Sequence, residues 1–193
     1  MPDKRLQLEI IIGSTRRGRF GPTVAQWFLG EAKQPGNMDV DVIDLVEADL
    51  PVTFPDIAVG EPAPPEVAAL APRMAAAFVV VTPEYNHGYP ASLKCAIDWF
   101  STEWQAKPIG FVSYGGVAGG LRSVEQLRQV FAEVHAVTMR DTVSFSNYWE
   151  RFDSEGQPVE PAGCAAAAKG MLDQLAWWGL ALKEARAKHP YGA

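Results

Sequence analysis

Short β-branched runs alternate with amphipathic helical segments from Leu6 to about residue 187, and few folds accommodate such a rhythm. Leu6–Ile12 (LQLEIII), stopped by Gly13, reads as a buried strand. Pro22 sits at a first helical position, and Val24–Ala32 follows as a helix. Met38–Leu45 (MDVDVIDL) alternates apolar and polar residues, as a strand with one partly wet face does. Val46–Pro65 is a Pro-rich loop and Glu66–Ala76 an Ala-rich helix. Ala77–Thr82 is the most apolar strand and belongs near the sheet centre. In the helix predicted over Ser92–Glu103, Leu93, Ala96, Ile97 and Phe100 share one stripe. Pro108–Ser113 is a fourth strand, Leu121–Val134 a fourth helix and Ala136–Val143 a weaker fifth strand. A polar loop, Asn147–Gly163, precedes a last helix over Cys164–Ala187.

Five strands alternating with helices imply βαβ units and a parallel sheet with helices on both faces. The common five-stranded order is 2-1-3-4-5, whose ligand crevice opens at the carboxyl ends of strands 1 and 3. Ligand chemistry is then expected after strands 1, 3 and 4, which are neighbours, and not after strand 2.

The length, 193 residues, suits one domain over 1–193. A formal charge of −6 argues against a nucleic-acid partner, which requires massed Lys and Arg. No apolar run reaches membrane-spanning length, so no membrane insertion is expected. The N-terminus has no secretory-signal pattern. Cys95 and Cys164 form no CxxC, so neither a disulfide framework nor a metal site is expected, and a reducing cytoplasm fits best.

The three expected loops carry unusual residues. After strand 1, Gly13-Ser14-Thr15-Arg16-Arg17-Gly18-Arg19-Phe20-Gly21 leads into a helix start. Its amides, hydroxyls and guanidiniums suit an anion. The spacing is neither GxGxxG nor GxxxxGK[ST], and a terminal monophosphate suits it better than a pyrophosphate. The plainer alternative is a solvated basic turn. After strand 3, Pro83-Glu84-Tyr85-Asn86-His87-Gly88-Tyr89-Pro90 offers aromatic platforms and backbone groups to a flat heteroaromatic ring; the alternative is a rigid crossover with His87 on the surface. After strand 4, Ser113-Tyr114-Gly115-Gly116-Val117-Ala118-Gly119-Gly120 allows close backbone approach. Each loop alone is ambiguous, but all three occupy the places that the topology selects.

At these residues the chain resembles the NADPH-dependent FMN reductase family, which includes quinone, azo-dye and chromate reductases of flavodoxin-like fold. GSTRRGRFGP resembles its phosphate loop, PEYNHGYPASLKCAIDW its long PEYN…LKNAIDW signature, and SYGGVAGG its third flavin loop. The similarity covers most of residues 6–140, and the second motif is the specific one. The resemblance implies a flavodoxin-like three-layer sandwich holding FMN. Ser14, Arg16, Arg19, Phe20 and Gly21 would surround the phosphate and ribityl chain. Pro83, Glu84, Tyr85 and Asn86 would lie along the isoalloxazine, with Ser113, Tyr114, Gly115 and Gly116 closing the other side. Arg19 stands where several relatives have Ser, and Cys95 replaces the Asn of LKNAIDW.

Hydride would pass from NADPH (or NADH) to the flavin. A small-molecule electron acceptor (a quinone, azo compound, free flavin or metal oxyanion) would follow on the same face. The cofactor performs this chemistry, so no catalytic side chain is assigned. The resemblance also implies a homodimer or homotetramer. Trp99, Phe100, Trp104, Trp177 and Trp178 are expected mostly in the core, with some available for such an interface. The aromatic loop 147–152 is expected to reach over a neighbouring subunit's flavin. Two rivals are an electron carrier like flavodoxin and a metal-binding regulatory module. Carriers have phosphate loops rich in Ser and Thr without arginines, and the regulatory class needs clustered acids after strand 1.

Overall fold

The structure, a computed structural model, describes residues 5–56 and 60–192; parts of the N-terminal and Pro-rich loop readings fall outside these. Leu6–Ile12 forms β1, Met38–Asp44 β2, Ala77–Pro83 β3 and Pro108–Gly115 β4. They run parallel in the order β2-β1-β3-β4, as the sequence predicts. β3 and β4 are buried along their whole lengths, which explains their unbroken apolar character.

The alternation of side chains along β1 divides the core. Leu6, Leu8, Ile10 and Ile12 pack with α1 (Gly21–Lys33) and α6 (Pro161–Lys188). Ile11 joins Phe78, Val80 and the Leu93, Ile97 and Phe100 stripe of α4 (Ala91–Trp99) on the opposite face, together with α5 (Leu121–Glu133). This is the flavodoxin-like sandwich, with helices on both sides of a parallel sheet. A one-turn α2 (Leu45–Ala48) and the short α3 (Pro65–Leu70) complete the β2 side.

Three elements depart most from expectation, while α2 occupies the start of the predicted Val46–Pro65 loop and α6 begins at Pro161 rather than Cys164. The helix predicted over Glu66–Ala76 stops at Leu70 and tightens into a 3-10 turn at Ala71–Arg73, since Pro72 has no amide for the ladder. The helix predicted to Glu103 ends at Trp99, and the indole of buried Trp104 donates to the Ile97 carbonyl (3.0 Å). The single fifth strand is two pieces, β5 (Val137–Thr138) and β6 (Val143–Ser146), both parallel to β4. Between them Arg128 takes over the carbonyls, donating to Met139 O (2.6 Å) and Arg140 O (3.1 Å).

Trp104 and Phe100 are core, as expected, but Trp177 and Trp178 are exposed. Buried Ala168, Met171, Leu172 and Leu175 define the inward face of α6, and the two tryptophans lie off it.

Glu9 departs most clearly from the pattern of β1. It points into the second face, is only 6% exposed, and its Oε2 has no hydrogen-bond partner. Burial pushes its pKa up to about 7 from 4.5; Asp41 reinforces this and Arg73 opposes it. The folded state therefore holds this proton to higher pH than the unfolded chain. The cost is absent below about pH 4.5 and grows as pH rises to about 7, reaching about 3 kcal/mol. Glu9→Gln is expected to raise stability by about 2–3 kcal/mol at pH 8 and by little at pH 4.5, read by urea unfolding.

Candidate functional site

Three loops meet where β1, β3 and β4 end. Beyond β1, the Gly13 amide donates to Val81 O (2.9 Å), binding the first loop to the third strand. Ser14 is buried, and its Oγ accepts from the Tyr114 hydroxyl (3.2 Å). Arg16 to Arg19 closes a tight turn through Arg19 N–H to Arg16 O (3.2 Å). Among the described residues, the amides of Thr15, Arg16, Arg17 and Gly18 have no backbone partner. They lie beside the start of α1, whose dipole favours an anion. Gly21 must lack a side chain here: a Cβ would stand 2.6 Å from Ser14 Oγ and 2.9 Å from Ile12 Cγ2.

The two flanking arginines do different things. Arg16 is exposed, with its guanidinium 4.4 Å above the Tyr85 ring. Arg19 is committed to Asp44, donating to both carboxylate oxygens (2.7 and 2.6 Å) and also to Ser14 O (3.0 Å). That carboxylate pushes the Arg19 pKa further up. Sequence reasoning placed Arg19 on a phosphate and expected nothing from strand 2. In the structure Arg19 links the first loop to the end of β2.

The second loop is a small hairpin. Tyr85 and Gly88 exchange both backbone hydrogen bonds (2.9 and 3.1 Å) across Asn86 and His87, whose φ angles are 50° and 69°. Paired positive φ values characterise a type I′ turn, and Asn is among the residues that tolerate it. Asn86 and His87 are both exposed at its tip. Burial raises the pKa of the Tyr85 phenol while Arg16 opposes the shift. Pro83 is buried at the end of β3, and the following Glu84 amide donates to Tyr114 O (3.1 Å). The Glu84 side chain turns to α5, accepting from the Arg122 amide (3.2 Å) and guanidinium (2.7 Å). Ser92 Oγ donates to Gly13 O (2.7 Å), and Gln126 donates to His87 O (2.8 Å). Cys95 is bonded to Pro51 O (3.2 Å), on the helix behind the loop.

In the third loop Ser113 is buried and donates to Gly119 O (2.8 Å), as does Ser144 (2.9 Å). Gly116 O accepts from Gly119 N–H (3.0 Å) and Asn147 N–H (2.9 Å). Gly116 is exposed, whereas Gly115 is buried beside Glu84 and Gly120. Burial drives the Tyr114 hydroxyl pKa strongly upward.

Two aromatic residues of the Asn147–Phe152 segment, Tyr148 and Phe152, pack on their own chain, while Trp149 at its tip is exposed. Tyr148 and Phe152 lie 4.8 and 5.2 Å from the Phe20 ring, and Tyr114 completes the cluster at 6.3 Å. Exposed Trp149 borders Gly116. Asp44, Arg122 and Gln126 thus support these loops from positions that no sequence signal marked, whereas Tyr148 and Phe152 lie in the 147–152 segment that its aromatic density had marked.

An amide-lined, arginine-bearing turn abuts a tyrosine hairpin and a glycine loop across one sheet end. Together with the fold, this defines a flavodoxin-like protein suited to a phosphorylated, flat-ringed ligand. The chain belongs to the NADPH-dependent FMN reductase family, matching it over residues 6–150. It is 38% identical over 134 residues to an NAD(P)H-dependent FMN reductase of Schizosaccharomyces pombe, covering 62% of this chain and 65% of that protein. Against a quinone reductase of Escherichia coli the identity is 37% over 143 residues, 70% of this chain and 74% of the other. Among solved structures, the flavoenzyme NAD(P)H:(acceptor) oxidoreductase FerB of Paracoccus denitrificans superposes with a TM-score of 0.73 at 23% identity. That superposition covers 90% of this chain and 97% of FerB.

Proposed function

We propose that this chain is an FMN-dependent NAD(P)H oxidoreductase that delivers electrons to a small-molecule acceptor such as a quinone, azo compound, free flavin or metal oxyanion. Family membership supports the cofactor and the donor class. The observation carrying the reading is the convergence of Arg16, its unpartnered loop amides and the Tyr85 hairpin at one sheet end. NADPH is the preferred donor by family resemblance.

In this reading Arg16 and the loop amides hold the phosphate with the buried Ser14, and Gly21 leaves room at the start of α1. Phe20 and its aromatic neighbours wall the ribityl side. Arg19 acts at one remove, neutralising Asp44. The backbone of Pro83, Glu84, Tyr85 and Asn86 lines one edge of the ring; Ser113, Tyr114, Gly115 and Gly116 line the other. Bound there, FMN would supply the redox chemistry that links the nicotinamide donor to the acceptor. The protein supplies position, and no side chain is assigned an acid, base or nucleophilic role.

Exposed Trp177, Trp178 and Leu180 on α6 suit a homodimer or homotetramer contact. Among the described residues no helix is long and apolar enough to cross a membrane, and a cytoplasmic setting accords with the free cysteines. Residues 1–193 are read as a single domain.

The purified protein should be yellow, with bands near ~370 and ~450 nm, and should oxidise NADPH continuously when a quinone is supplied. A yellow protein that leaves NADPH intact would be an electron carrier instead. A colourless protein that takes up no added FMN would end both readings.

A further inference from the structure

Trp149 is 58% exposed, although tryptophan is highly buried on average, and it stands against the third loop of the crevice. Its Cη2 lies 3.9 Å from the point where a Cβ on Gly116 would sit, and Gly116 is itself exposed. The indole therefore meets the open surface of that loop at ordinary contact distance.

The backbone beneath the ring is held from several sides. Asn147 adopts a left-handed conformation (φ 46°), and its N–H donates to Gly116 O (2.9 Å), so the third loop itself carries the turn. Tyr148–Glu150 forms one 3-10 turn, closed by Glu150 N–H to Asn147 O (2.9 Å) and Arg151 N–H to Tyr148 O (3.0 Å). The Arg151 guanidinium then donates back to Ser146 O (3.3 Å). Tyr148, packed on Phe20, meets the indole edge-to-face at 5.3 Å and 74°. This mount holds a large ring out in solvent, where it gains little burial. A ring placed in advance stacks on a ligand at low entropic cost.

The surroundings of the indole narrow what it takes. Its single N–H donates to Glu150 Oε1 (3.3 Å), so the polar edge is already used and the faces are what it offers. Among the described residues no ion pair neutralises the Glu150 carboxylate, whose charge disfavours an anion beside the ring. Both features favour a neutral, flat ring over a metal oxyanion.

Resting on the function proposed above, we infer that Trp149 is a specificity-determining residue. Its indole stacks on the electron acceptor beside Gly116 and selects neutral planar aromatics of the quinone class over inorganic anions. Trp149 takes no part in holding FMN, which falls to the other residues of the three loops.

The test compares Trp149→Ala and Trp149→Phe with the parent protein, all loaded with FMN. Titrating the oxidised proteins with 2-methyl-1,4-naphthoquinone, followed in the visible flavin bands, reads binding without turnover, because an oxidised flavin has no electrons to give. Trp149→Ala is expected to weaken quinone binding about tenfold or more, and Trp149→Phe, which keeps a ring, less than about threefold. In turnover the quinone KM should rise by a similar factor with kcat nearly unchanged. Reduction of hexacyanoferrate(III), an octahedral anion that cannot stack, should change far less, and FMN affinity should hold. The inference is overturned, with the function reading intact, if flavin-loaded Trp149→Ala binds quinone as the parent does, if it loses hexacyanoferrate(III) reduction in step, or if it loses FMN itself. A parent protein that takes up no FMN overturns the function reading and this inference with it.

Discussion

Gly120→Ala is expected to lower stability by about 3 kcal/mol and to strip the protein of flavin. Gly120 precedes the first residue of α5 with φ 87° and ψ 5°, a left-handed conformation that costs other residues about 1–2 kcal/mol. A Cβ there would stand 2.6 Å from Ser113 Cβ and 2.9 Å from Tyr114 N. Both are β4 backbone or near-backbone atoms that cannot rotate away, which adds about 1–3 kcal/mol. The third loop would move, carrying Gly115 and Gly116 with it. Gly30→Ala is the control: it lies on an exposed helical position with nothing within 4 Å of the new Cβ. It should raise stability by about 0.5–1 kcal/mol. Urea unfolding and flavin content after dialysis measure both variants.

Arg19→Ala should weaken FMN binding about 100-fold. The variant leaves Asp44, whose side chain is 13% exposed, without its cation and beside the proposed phosphate site. The uncompensated carboxylate lowers folding stability whether or not FMN is present; its repulsion of the phosphate dianion is what lowers affinity, and about 2.7 kcal/mol of it corresponds to a hundredfold. The Asp44→Asn exchange separates repulsion from direct contact. Added to Arg19→Ala, it should recover most of the lost affinity, because the unpaired charge is gone. Alone it should leave FMN affinity unchanged or tighter, since Arg19 is then released. If Arg19→Ala with Asp44→Asn binds as weakly as Arg19→Ala alone, Arg19 touches the phosphate directly.

Much of this was readable from the chain because local periodicity and sheet order dictate it. The apolar runs at Ala77–Thr82 and Pro108–Ser113 could be buried only as central parallel strands, and the Leu93–Phe100 stripe only as a helix packed on them. The order of strands then brought three loops together without any knowledge of side-chain contacts. Long-range pairing was not legible. Nothing near Arg19 signals that its partner is Asp44, 25 residues away. The break in the fifth strand depends on Arg128, a residue of α5 whose donors replace the ladder. Which of the tryptophans lie outside the core was not legible, because aromatic character suggests burial while the inward stripe of α6 is set by Met171, Leu172 and Leu175, leaving Trp177 and Trp178 exposed. Tyr148 and Phe152 of loop 147–152 pack on Phe20, a contact that the sequence does not advertise.

The central claim is that the Arg16 turn grips a phosphate while the other two loops hold a flat ring. Titrating apoprotein against FMN and against riboflavin, which lacks the phosphate, tests it through quenching of flavin fluorescence. Saturable FMN binding at one per chain is expected, with riboflavin at least about 100-fold weaker, the loss that follows when charge-assisted phosphate contacts are removed. Equal affinity for the two, or no binding of FMN, would contradict it.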